Sequence, residues 1–195
     1  MVSPSSFPPS AVLLLGFLPK KVVVRPEWLK CPDVEIIASA SECISPAPPD
    51  RISLWQHNEA GLYDTEALAF GTIPPGTEVA YTPFAYRALP VALRDGLEHT
   101  WNPWADRPTP PPASDLSAYE SLGFDVVGFG EGRCFECSPL SCNGVAAEQP
   151  VNRFCLVDDP TRAITLARDF SHPDSTVEPA WAYVVVEVLW RKDRM

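Results

Sequence analysis

Six cysteines stand at positions 31, 43, 134, 137, 142 and 155. The last four form the string Cys134-x2-Cys137-x4-Cys142-x12-Cys155. Zinc favours tetrahedral thiolate donors, and a C-x2-C step supplies two of them from one tight turn. The string therefore marks Cys134, Cys137, Cys142 and Cys155 as a possible ligand set. The second pair is no C-x2-C, however, and Cys155 falls in a segment that reads as a strand. If Arg133–Cys137 is extended, the sulfurs of Cys134 and Cys137 point to opposite faces and cannot share an ion. Buried, reduced thiols are the plainer reading, because free cysteine is among the most buried residue types. A third reading makes Cys137 or Cys142 a nucleophile. A thiolate of that kind needs a base, and His57, just after a predicted strand, is the candidate.

The same stretch is rich in small polar groups. Glu136, Ser138, Ser141, Cys142 and Asn143 crowd around Pro139, which forces a loop. Such a loop beside strands is a normal place to bind a ligand. It is equally a normal place for Ser and Asn side chains to cap their own backbone. Familiar catalytic signatures are missing from the sequence: there is no G-x-S-x-G, no G-x-x-x-x-G-K-[ST], no G-x-G-x-x-G and no H-E-x-x-H. Gly128-Phe-Gly130-Glu-Gly132 lacks the following helix that a phosphate site requires.

Charge narrows the choice of partner. Fifteen Lys+Arg against 25 Asp+Glu leave a net charge of −10, shared by both halves of the chain. Binding to a phosphate backbone comes from clustered cations that release counterions, so nucleic acid is excluded as a partner. An acidic field instead accelerates encounter with a basic protein. Trp101 and Trp104 open the proline-rich strip 101–114, which can hold aromatic anchors in a preorganised shape. The same indoles can pack on the protein's own sheet instead. The expectation is an acidic protein-binding or inhibitory module. A thiol enzyme or a zinc-thiolate protein is the alternative.

No apolar run approaches the roughly 20 residues that span a bilayer, so no membrane is expected as a partner. Ala11–Leu18 has the length of a signal core. No Lys or Arg precedes it and Lys20-Lys21 follows, so it reads as a buried strand and the chain as cytoplasmic, with reduced thiols.

Twenty-three prolines punctuate the chain. Residues 1–10 hold too little apolar surface to order themselves and read as a flexible arm. Residues 11–195 read as one α+β domain, with a mixed β-sheet, few short helices and long proline-rich loops. Strands are expected at Val22–Val24, Val34–Ala38 and Ile52–Trp55, and a short helix at Asp64–Phe70. Glu78–Leu89 carries Pro83 and reads as an edge strand. Gly123–Cys137 reads as two strand pieces joined at a turn or bulge.

The C-terminal third carries the clearest pattern, a strand-helix-strand unit. Val151–Val157 reads as a short strand. Asp159 and Pro160 then start a helix over Thr161–Phe170, with Leu166 and Phe170 facing the sheet. Trp181–Trp190 reads as a buried, central strand with Val184, Val186 and Val188 in the core. Short connections favour a parallel crossover and leave an antiparallel return open.

Overall fold

Apolar residues at every even position of Trp181–Trp190 predict a strand buried on at least one face, and the computed structural model places a strand at Ala182–Arg191. It describes residues 13–47, 61–71, 73, 81–88, 115–129, 135–172, 174–177 and 182–191. The strands are β1 (Leu13–Lys21), β2 (Val23–Val24), β3 (Ile36–Ile37), β4 (Tyr81–Ala88), β5 (Tyr119–Phe129) and β6 (Ala182–Arg191). The helices are α1 (Glu66–Gly71), α2 (Pro139–Cys142) and α3 (Pro160–Phe170), with a 3-10 turn at Val145–Ala147. A four-stranded sheet runs β1-β4-β6-β5, and β2 pairs with β3 in a small second sheet. Each neighbouring pair is antiparallel. The α+β, single-domain architecture is as expected.

β6 is central, with β4 on one side and β5 on the other. Val184, Val186 and Val188 enter one apolar cluster with Leu15, Phe17 and Tyr86. Tyr183 and Val185, on the opposite face, join Val126, Leu140 and the buried stripe of α3. Burial on both sides is what a Val-rich central strand requires. Each such side chain contributes about 1.5–3 kcal/mol relative to exposure.

α3 begins where its sequence says it should. The Asp159 side chain accepts from the Thr161 amide at 3.0 Å, and Pro160 supplies the first turn. Ala163, Leu166 and Ala167 are buried against the sheet, and the Phe170 ring meets Tyr183 edge-on at 5.5 Å.

Three expectations change. The strand read at Val151–Val157 is mostly turn. Asn152 Oδ1 accepts from the amides of Phe154 and Leu156, and its Nδ2 donates to the Leu122 carbonyl and to Asp158, each at 2.7 Å. A side chain that satisfies so much nearby backbone removes the need for a ladder. Only Val157 keeps a bridge, to Phe124 of β5. With no strand before α3, the parallel crossover falls away, and β6 returns antiparallel to β5. β4, read as an edge because of Pro83, lies inside the sheet. Pro83 faces Pro19 of β1 and sits one residue beyond the β4–β6 ladder, which begins at Phe84. Neither neighbour asks it for a donor.

The arm 1–10, the strand at Ile52–Trp55 and the strip 101–114 lie outside the described residues. Among the described residues, no helix is long and apolar enough to cross a membrane.

Candidate functional site

Asp125 is the anchor of the site. It sits on β5 opposite Val186 of β6 and is fully buried. One carboxylate oxygen accepts from Ser39 Oγ at 2.7 Å and from the Ala40 amide at 2.8 Å. The other accepts from Ser138 Oγ at 2.6 Å. A single buried carboxylate thus ties residues 39–40 to the residue that starts α2. Burial raises its pKa above the usual carboxylate range, although the bonds from Ser138, Ser39 and the amides of Ala40 and Val126 pull the other way. Lys20, buried on β1, holds the same turn from below, with Nζ donating to the carbonyls of Ala40 and Ser41.

From this base the chain presents three sulfurs. The Ser41 amide donates to Ser39 Oγ, and Ser41 Oγ in turn accepts from the Cys43 amide, which fixes a tight turn. Cys43 leads outward from that turn and is exposed. Cys137 is held by its carbonyl, which accepts from the Gly128 amide of β5 at 2.9 Å. Cys142 closes α2, its amide donating to the Ser138 carbonyl. Cys43 Sγ lies 3.1 Å from Cys137 Sγ, and Ser41 Oγ lies 3.5 Å from Cys142 Sγ. The sulfurs of Cys43, Cys137 and Cys142 all fall within 4.8 Å of one another.

The protonation of this group is equally informative. The Cys137 thiol is pushed up to about 12, first by its hydrogen bond with Cys43, then by burial and by the neighbouring sulfurs of Cys142 and Cys43. A thiol nucleophile needs the opposite, a depressed value beside a cation. Cys155 is also pushed up to about 12, chiefly by burial and then by Asp125, Cys31 and Cys142. The Tyr86 hydroxyl, buried on β4, makes no hydrogen bond among the described residues. Its pKa is raised well above the ordinary value by burial, then by the charges of Asp125 and Glu42.

The residues singled out from sequence are distributed as follows. Cys137 and Cys142 come together, and their third partner is Cys43. Cys155 is buried in the second apolar cluster with Cys31 and is not one of the three grouped sulfurs. Ser138 is a buried strut on Asp125. Ser141 is buried, with Oγ 3.8 Å from Cys142 Sγ. Asn143 is exposed and caps α2 through its own amide, and Glu136 is exposed. Cys134, His57, Trp101 and Trp104 lie outside the described residues.

Sequence reasoning missed Cys43, Asp125 and the Ser39–Ser41 turn. Cys43 and Cys137 are 94 positions apart, a separation no local spacing motif can report. The small-residue run Ala38-Ser-Ala-Ser41 before Glu42-Cys43 was the one available signal, since such a run lets backbone approach a buried acceptor closely. Searches of protein-family models, of curated proteins and of solved structures with this chain found no match.

Proposed function

We propose that this is a zinc-thiolate protein in which Cys43, Cys137 and Cys142 hold one Zn²⁺ and thereby staple the Ser39–Ser45 turn to α2. The observation that carries the reading is the meeting of three sulfurs within 4.8 Å, drawn from two segments far apart in the chain. Zn–S bonds of about 2.3 Å at tetrahedral angles set neighbouring sulfurs about 3.8 Å apart. That value lies between the 3.1 Å of the Cys43–Cys137 contact and the 4.8 Å bound on the group. Shifts of well under 1 Å per sulfur would seat an ion.

Soft thiolates also choose the metal. They suit zinc rather than magnesium or calcium, which take oxygen ligands. Three thiolates leave the fourth tetrahedral position to a ligand from outside the set. A thiol raised to about 12 is a poor nucleophile at neutral pH, yet it still serves as a ligand, because the ion displaces its proton.

Titration of the metal-free, reduced chain with Co²⁺ tests the reading. One equivalent should produce sulfur-to-cobalt charge-transfer absorption, and Zn²⁺ should then abolish it. Cys43→Ser should lose most of that absorption while Cys31→Ser keeps it. A titration without charge-transfer absorption, or one unaffected by Cys43→Ser, overturns the assignment.

A further inference from the structure

The three sulfurs are not equivalent. Cys43 is exposed on a tight turn, while Cys137 is tied to β5 through its backbone and Cys142 is fixed in α2. Cys43 and Cys137 already touch at 3.1 Å, and closing that gap to a disulfide bond of about 2.05 Å needs a movement of roughly 1 Å. Cys43, the exposed member of the pair, is the one that an oxidant in solution reaches. Cys31 and Cys155, buried in the second cluster, are shielded from the same chemistry.

Building on the zinc-thiolate reading, we propose that the site is a redox switch: a hydroperoxide converts Cys43 and Cys137 into a disulfide and so expels the metal. The steps balance. The Cys43 sulfur attacks the terminal peroxide oxygen; an S–O bond forms, the O–O bond breaks, and the alkoxide or hydroxide that leaves takes a proton from solvent. The Cys137 sulfur, already a thiolate because the metal has displaced its proton, then attacks the sulfur of this sulfenic acid; an S–S bond forms, the S–O bond breaks, and hydroxide leaves to become water. Two thiolates lose two electrons, and the hydroperoxide gains them with two protons. Cys142 is left as the sole ligand of the set, and one thiolate does not retain zinc against water and competing chelators. Cys142 also lies within 4.8 Å of both oxidised sulfurs, placed to attack the bond during reduction by an external dithiol.

The test uses the full chain loaded with zinc and freed of excess metal. A few equivalents of hydrogen peroxide are added in the presence of a chromogenic zinc chelator, and samples are quenched by alkylation for peptide mapping. Zinc should be released in step with a Cys43–Cys137 disulfide, close to one ion per bond formed, and a dithiol reductant should restore zinc binding. Zinc that stays bound while peroxide is consumed overturns the switch and leaves the metal site standing. So does release that accompanies only irreversible sulfinic acid at Cys43, or a disulfide between other cysteines. A chain that takes up no zinc at the loading step overturns the metal site and the switch together.

Discussion

At the scale of single residues, the site divides into donors and the residues that aim them. On the proposed zinc reading Cys43, Cys137 and Cys142 are the donors, and each Cys→Ser substitution should weaken zinc binding by at least tenfold, read by competition with a chelator of known affinity. Cys155→Ser should leave that affinity within twofold, because its sulfur is outside the group. Asp125 is the aiming residue. In Asp125→Asn an acceptor oxygen becomes a donor that faces the hydroxyls of Ser39 or Ser138, at a cost of about 1–3 kcal/mol. The pH dependence follows from the raised value of Asp125. An acid that holds its proton more tightly folded than unfolded contributes fully below its unfolded value, and the contribution is lost as pH rises through the folded one. Denaturant titrations should therefore show the advantage of wild type over Asp125→Asn largest in acid and narrowing toward neutral pH. A gap that widens as pH rises would contradict this account. Type and spacing placed Cys137 and Cys142 in one candidate ligand set, together with Cys134 and Cys155, and the structure brings the first two together. Cys43 and Asp125 were not legible, because what makes them matter is tertiary contact across 94 and 86 positions.

At the scale of elements, periodicity and caps carried most of the information. α3 and β6 were legible because Asp159, Pro160 and the apolar even positions of a Val-rich run each act locally. The 151–157 segment was misread because Asn152 satisfies backbone groups that a strand would have paired, and its apolar neighbours gave no sign of this. Its partner in that arrangement is Gly123, at the bulge in β5, where φ is +131°. A Cβ there would meet Asn152 Nδ2, Leu156 Cβ and the Val157 carbonyl oxygen at 3.0 Å each. Gly123→Ala combines a backbone conformation closed to L-residues with a clash against backbone, and should cost on the order of 2–4 kcal/mol. Asp159→Ala, which removes only a cap, should cost about 1 kcal/mol. Urea midpoints of the two variants check the order, and equal shifts would show that the bulge tolerates a side chain. β4 was misplaced to the edge because the rule about proline concerns missing donors, and at Pro83 the ladder does not call for one.

At the scale of the whole molecule, the α+β class was visible in the balance of Val-rich runs against few helical faces. The meeting of the Ser39–Ser45 turn with α2 was not, since the order β1-β4-β6-β5 is set by packing rather than by any local pattern. That meeting gives the metal a structural task. The ion would reinforce two segments already joined by the Asp125 carboxylate and the Ser41–Cys142 contact, and binding free energy at such a site is folding free energy. Removing zinc should lower the thermal midpoint, and the loss should be smaller in Cys43→Ser, which has little zinc to lose. Zinc content is the most direct measurement: elemental analysis of wild type and Cys43→Ser, both purified without added metal or chelator and in reductant that does not bind zinc. The account predicts close to one zinc per chain in wild type and a small fraction of that in Cys43→Ser. Wild type without zinc, or a Cys43→Ser chain that holds as much as wild type, would contradict it.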